Sequence, residues 1–503
     1  GGYESPYSLK KIVDYWFAQG VNRIIFHTSA HQPLDTKPGN TMVGTHINRN
    51  ITWAEQGQPF MTYLARNSFM LQQGLFVADF AYLLNEGAPS TMPFWGDGLK
   101  PALPEGYDFD YVNADVLLNR MEVNDEGRIV LPDGMSYRVL VLPEVDRMTL
   151  PVIEKIWRLV QKGATVLGPK PLHSPSLSGY SNGDGPVRYM AEELWGDLDG
   201  VSRTKRKFGK GTVVWGLSPA DVIASMGTSK DFEYSQSLDS RVAWIHRRAG
   251  DADIYFVANN TDRKQDINAR FRVSGKEAEL WHADTGEIEP AEFSIADGRT
   301  TVPLHLAERE SVFVVFRRAA SSTERTLPRT KATTLATLDG PWTVSFPSNL
   351  GAPPKIIFPK LESWTANADE GVKFFSGTAV YSKTVRVESS WLRSGEKVLL
   401  NLGTVNDLVE VSVNGQALGI LWKAPYQVDV TNALKAGANH LQIKVTNEWT
   451  NRIIGDRTAA PEKKVLAGPP AGGIFGASQT LSNSGLLGPV TFVSVTNGSR
   501  QAK

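Results

Sequence analysis

Val21-Asn22-Arg23-Ile24-Ile25-Phe26 runs directly into His27-Thr28-Ser29-Ala30-His31-Gln32-Pro33. The first six residues have the β-branched and aromatic composition of a strand, and the next seven turn polar and meet a proline, so the pair predicts a strand emptying into a loop. A Gly- and Asn-rich continuation then delivers His46, Asn48, Asn50, Trp53 and Glu55, placing three of the chain's eight histidines, a tryptophan and a carboxylate in one loop region. Polar groups gathered beyond the C-terminal end of a barrel or doubly wound strand are where α/β enzymes put their chemistry.

On either side of this stretch the pattern is helical. Ser5 and Pro6 suit N-cap and N1, Leu9, Ile12, Val13, Trp16 and Phe17 form one apolar stripe, and Gly20 suits the C-terminal stop. Pro59 begins a second helix with Phe60, Met61, Leu64 and Leu71 on one side and Gly74 at its end. The apolar run 76–84, interrupted only by Asp79, predicts a strand buried on both faces. Two such units fit the C-terminal part of a (β/α)₈ barrel over residues 1–105, most of which would precede Gly1.

Residues 106–217 repeat the alternation with a strand at 138–142, a helix capped by Thr149 and stopped by Gly163, and another strand from Ala164. They predict a flavodoxin-like α/β domain. Beyond it helix signals thin out, giving a β-sandwich over 218–318, a Ser/Thr/Ala/Arg linker over 319–334, and a second β domain over 335–500 with an Asn414-Gly415 turn. The expected fold class is multidomain, α/β followed by all-β.

Composition narrows the function. Fifty-three basic and 53 acidic residues cancel without a basic cluster, which argues against nucleic acid or an anionic membrane as partner. No apolar run approaches the roughly 20 residues that span a bilayer. Cysteine is absent, removing disulfides, thiolate metal sites and cysteine nucleophiles, while calcium through oxygen ligands stays open.

The tract from Gly20 to Pro33, Trp53-Ala54-Glu55-Gln56, Gln73-Gly74-Leu75-Phe76-Val77-Ala78-Asp79, Gly106-Tyr107-Asp108-Phe109-Asp110-Tyr111-Val112-Asn113 and Leu131-Pro132-Asp133-Gly134-Met135-Ser136-Tyr137 resemble the α-L-rhamnosidases of glycoside hydrolase family 106. Val411-Ser412-Val413-Asn414-Gly415, Trp422-Lys423-Ala424-Pro425-Tyr426 and Val428-Asp429-Val430-Thr431 are similar to the jelly-roll sugar-binding domain of glycoside hydrolase family 2. The resemblance implies an inverting exo-glycosidase that removes terminal α-L-rhamnose from oligo- or polysaccharides, with a calcium ion at the sugar hydroxyls. Inversion needs an acid and a base about 6.5–9.5 Å apart, and the resemblance implies that catalytic carboxylates lie largely before Gly1. It also implies a secreted or periplasmic protein. A β-galactosidase-like hydrolase and a non-catalytic carbohydrate-binding piece are the alternatives.

Within the chain, Glu55 is the catalytic candidate, as acid or base, calcium ligand or acceptor for a sugar hydroxyl, against a first-turn helix carboxylate. His27, His31 and His46 are candidates for binding rhamnose hydroxyls, against loop-bracing histidines. Trp53 offers an apolar platform for the sugar face, or barrel-rim packing. Asp79 is either a substrate-binding acid or a buried ion pair with a residue such as Arg23, because a carboxylate in an apolar strand is costly unless paired. Asp108 and Asp110 are expected to be structural. Trp342, Trp364, Trp422 and Trp449 are expected mainly in the sandwich core.

Overall fold

The computed structural model describes residues 4–27, 31, 37, 47–87, 98–179, 181–235, 241–393, 395–466 and 480–497. Helix α1 (Pro6–Ala18) opens with a capping box, in which the Ser5 hydroxyl accepts from the Ser8 N–H and the Ser8 hydroxyl accepts from the Ser5 N–H. Its Leu9, Val13 and Phe17 face inward, as do Phe60, Leu64 and Leu71 of α2 (Gln58–Leu71). Both helices lie on one face of an antiparallel sheet, against Ile245, Ile254, Phe256, Phe313 and Val315.

Within the segment expected as barrel, 1–105, the first expected strand is absent. Residues 21–26 form no strand, and Ile25 is 86% exposed. Strand backbone requires a ladder partner, and no described residue supplies one there. Composition alone suggested the strand, and composition does not provide a neighbour.

The apolar run 76–84 divides between two sheets. Its start, β1 (Leu75–Phe76), pairs antiparallel with Val242–Ala249. Its end, β2 (Phe80–Leu83), lies between β3 (Phe109–Val112) and Val139–Val141 in a parallel sheet that continues through Thr165–Leu167 and Gly211–Val214. Lys205–Phe208 adds an antiparallel edge. Numbered along the chain, the parallel strands run 2-1-3-4-5, the flavodoxin-like order. The first strand of this domain therefore falls inside the segment expected to be barrel. At the other end helix Pro219–Ser225, placed by sequence in the next domain, packs Val222 and Ile223 against Phe80, Val139 and Val141.

Asp79 sits where the chain crosses between the sheets. Its Oδ1 accepts from Arg138 Nε at 2.9 Å and its Oδ2 from Arg272 Nη2 at 2.8 Å, with the residue 2% exposed. The expected ion pair exists, but its partners are Arg138 from the parallel sheet's side and Arg272 from the sandwich, not Arg23. With both oxygens committed, Asp79 is an interdomain clamp rather than a substrate ligand.

The first sandwich faces the six-stranded sheet that holds β1 against a five-stranded sheet of Phe232–Tyr234, Gln265–Phe271, Arg299–Leu306, Phe293–Ala296 and Glu324–Arg325. Between them His246 is held by Asp231 at 2.9 Å and Asp253 at 3.2 Å. Burial alone would lower the imidazole pKa, but the two carboxylates outweigh it and raise it. The expected linker at 319–334 carries parts of two strands: Glu324–Arg325 closes the first sandwich and Thr330–Thr337 opens the second. The second packs a four-stranded sheet against a six-stranded one over a core that includes Trp342, Trp364 and Tyr381. Among the described residues no helix is long and apolar enough to cross a membrane.

Asp79→Asn leaves two guanidinium groups facing a neutral amide, and the unfolding free energy should fall by about 3 kcal/mol in urea titration. A loss below about 1 kcal/mol would show the clamp to be no stronger than a surface pair.

Candidate active site at the junction with the C-terminal sandwich

Residues 48–56 form a chain of turns begun by Asn48, whose Oδ1 accepts from the Asn50 N–H at 2.8 Å. Three hydrogen bonds and one ring contact fasten this segment. Trp53 Nε1 donates to the Glu4 carbonyl at 3.0 Å, and its ring meets Phe60 edge-on with centroids 6.4 Å apart. Gln56 Nε2 donates to Glu410 Oε1 at 2.8 Å, and Trp449 Nε1 donates to the Asn50 carbonyl at 2.8 Å. From the C-terminal sandwich Trp422 packs on Phe60 and Tyr63 at 5.3 and 5.2 Å. The loop and both N-terminal helices are thus seated on the last domain.

This seating brings the N-terminus of α1 against two carboxyl groups of the last domain. Asp407 precedes the strand Leu408–Val413, Glu448 follows the strand Gly437–Thr446, and Leu408 pairs with Thr446, so register alone makes the two acids neighbours. The Asp407 N–H donates to the Thr446 carbonyl at 2.8 Å and Tyr426 Oη donates to the Asp407 carbonyl at 2.6 Å. Asn447, just before Glu448, is fixed by bonds to Gly377 N, Phe375 O and Ser484 Oγ.

The two side chains share a hydrogen bond, and the Ser5 hydroxyl also bonds Asp407. Burial pushes the Asp407 carboxyl up to about 6, against the opposing bonds from Glu448 and Ser5. Glu448 is raised well above the usual carboxylate range, first by burial and then by the Asp407 charge. Two carboxyls in contact cannot both ionise readily, so Glu448 keeps its proton and donates it to Asp407. Both residues retain partial surface. A carboxyl that holds its proton is suited to protonating a departing oxygen brought against it.

Residues 2–295 match the α-L-rhamnosidase family, glycoside hydrolase family 106, and residues 326–462 match the sugar-binding domain of glycosyl hydrolases family 2. This chain belongs to the α-L-rhamnosidase family. It is similar to the solved structure of a rhamnosidase from Novosphingobium sp. PP1Y at 37% identity and TM-score 0.87, over 98% of this chain and 46% of that one. It is also 29% identical to a protein of Formosa agariphila that carries a provisional beta-glucuronidase name, over 97% of this chain and 62% of the relative. The chain therefore spans less than two thirds of the length of either.

In this family member the residues singled out by sequence are dispersed. Glu55 is exposed on the turns before α2, with no hydrogen-bond or ion-pair partner among the described residues. His27 and His31 are exposed, and His46 lies outside the described residues. Trp53 is not a sugar platform: it is 2% exposed, its N–H is satisfied by Glu4 and its ring is packed on Phe60. Trp342, Trp364, Trp422 and Trp449 are all buried. The carboxyl pair escaped sequence reading because its members stand 41 positions apart, and only the pairing of Leu408 with Thr446 joins them. The available signal was a carboxylate at the end of a strongly alternating strand, the same logic that singled out Glu55. Among the described residues no group of three or more His, Asp or Glu side chains is placed to hold a metal ion.

The pair makes stability depend on pH. Asp407 binds its proton more tightly folded than unfolded, so its contribution is most favourable below its ordinary carboxylate range and is lost as pH rises toward about 6. Urea midpoints taken at several pH values should show this downward slope, and Asp407→Asn should reduce it. An unchanged slope in the variant would mean that the two acids do not share a proton.

Proposed function

We propose that this protein hydrolyses terminal α-L-rhamnosides of plant-type glycosides or polysaccharides with inversion, and that Glu448 supplies the proton to the departing oxygen. The observation carrying this reading is the Glu448–Asp407 pair at the junction of the α-L-rhamnosidase match and the sugar-binding match. Asp407 holds the proton on Glu448 in position. Because the two acids touch, they cannot be the separated acid and base of an inverting site, which stand about 6.5–9.5 Å apart. The base is a different carboxylate, and Glu55 is the candidate, exposed beside the Gln56 contact with Glu410. His27 and His31 belong to the same proposal as hydroxyl ligands. So does calcium, with its ligands outside the sets that the described residues form.

The competing reading is a non-catalytic carbohydrate-binding part, favoured by the sugar-binding match over residues 326–462. The two separate on turnover. An aryl α-L-rhamnoside should be cleaved with release of inverted rhamnose by NMR, an aryl β-glucuronide should not, and a chelator should abolish the activity. Glu448→Gln should lower kcat about 10²–10⁴-fold, with much of the loss recovered on a dinitrophenyl leaving group that needs no proton. Absence of turnover on every rhamnoside removes the enzymatic reading. An equal loss on good and poor leaving groups removes Glu448 as the acid.

A further inference from the structure

A concavity lies beside α1, where the helix meets the edge of the sheet it packs on. It is bounded by the Lys11–Gly20 side of the helix, residues 103–111 and the strand Val242–Ala249, and holds about 1360 Å³. That exceeds the roughly 300–1,000 Å³ of pockets that enclose one drug-sized molecule. The space suits an extended chain. It is separate from the carboxyl pair, since Ser5 touches Asp407 whereas Trp16 lies eleven residues further along the helix, about 16 Å away at helical rise.

Its walls combine aromatic side chains with half-buried acids. Trp16 from α1, Tyr111 from β3 and Trp244 from the sandwich line it on three sides, each half-buried and so able to present a ring face. Asp108 and Asp110 are also among the lining residues. Asp108 Oδ1 accepts from the Phe109 N–H at 2.9 Å, and Asp110 Oδ2 accepts from Tyr137 Oη at 2.9 Å. Burial raises both carboxyls, and the nearby Asp231, Asp110 and Asp79 charges reinforce the effect at Asp108. A carboxyl group in either protonation state accepts hydrogen bonds from hydroxyl groups. Two of the three cations lining the cleft are committed elsewhere: Arg247 donates to the Gln73 and Gly74 carbonyls at 2.7 Å each, and Lys11 pairs with Asp262 at 2.9 Å. The third, Arg241, is exposed. The balance disfavours a polyanion.

We propose that this cleft is a secondary carbohydrate-binding site, holding a neutral segment of the polysaccharide that bears the terminal rhamnose. The proposal rests on the rhamnoside reading for the identity of that polysaccharide, while the site itself rests on the cleft. Aromatic faces stack on the C–H surfaces of pyranose rings, and polar groups of the lining meet their hydroxyls.

Calorimetric titration of the full-length protein with a neutral hexasaccharide ending in α-L-rhamnose should give saturable binding. Trp16→Ala should weaken it at least about tenfold, the effect of losing one well-packed ring. Tyr111→Ala, on a different element, should do the same and guards against a folding defect in the first variant, with circular dichroism as the check on both. A galacturonic acid hexamer should bind more weakly than the neutral chain. Neither variant should alter turnover of an aryl α-L-rhamnoside, which is too short to reach the cleft. No heat with the wild-type protein, or affinities unchanged in both variants, overturns the site. Loss of the rhamnoside reading would show differently, as absent aryl-rhamnoside turnover with hexasaccharide binding intact.

Discussion

The arrangement of the domains depends on one buried carboxylate. The chain leaves the sandwich at Phe76 and enters the parallel sheet at Phe80, so only Val77, Ala78 and Asp79 make the crossing. The Val77 N–H still donates to His246 in the sandwich, while the Asp79 carbonyl already accepts from the Arg138 and Val139 N–H groups of the parallel sheet. With the backbone shared in this way, the Asp79 side chain completes the joint by taking one guanidinium from each side. Arg272 extends the joint inward to Asp231, which holds His246, which in turn holds Asp253. Charges buried in series are tolerable only when each has a partner, so the series ties the domain junction to the sandwich core.

Fixing that joint has a consequence at the far side of the sandwich. The six-stranded sheet offers one face to the five-stranded sheet and the other to α1 and α2. The helices are thereby held between this sheet and the last domain, where Leu408 and Trp422 complete the same apolar cluster. A further buried group inside the layer, Lys10 with Asp14, Tyr63 and Ser311, sets the helices against the strand Ser311–Phe316. Ser5 reaches Asp407 only because α1 is held at both ends. The candidate acid is therefore assembled by residues roughly 400 positions apart, and the energy that assembles it comes from apolar packing rather than from the acids themselves.

What could be read in the sequence follows from the range of the interactions involved. α1 was legible to its cap, because Ser5, Pro6 and the Leu9–Val13–Phe17 stripe act within four residues of one another. The helix Leu150–Lys162 was legible for the same reason, with Thr149 before it and Gly163 at a positive φ of 134° after it. Residues 21–26 misled because strand composition is local whereas strand existence is not. Residues 76–84 misled in a subtler way: the reading of burial on both faces suits Phe80, Ala81, Tyr82 and Leu83, but nothing local shows that two different sheets share the run. Of the two readings of Trp53, sugar platform or packing, the structure agrees with packing. That role was decided by Glu4 and Phe60, whose positions depend on the fold.

The flavodoxin-like order raises the question of why the usual position for a ligand on such a sheet is not the candidate site. At the topological switch point, between β2 and Val139–Val141, a helix N-terminus normally offers its free N–H groups to an anion. Here the loop after β2 supplies Glu86, whose two oxygens accept from the Thr149 N–H at 2.9 Å and the Thr149 hydroxyl at 2.7 Å, at the start of the helix Leu150–Lys162. The protein's own carboxylate takes the place an anionic ligand would occupy, and it is favoured there by the helix dipole. A sheet whose ligand position is capped from within serves as a rigid support. Its contribution to the candidate chemistry is then geometric: it holds β3 and residues 103–111 beside α1, and through Asp79 it holds the sandwich on which α1 rests.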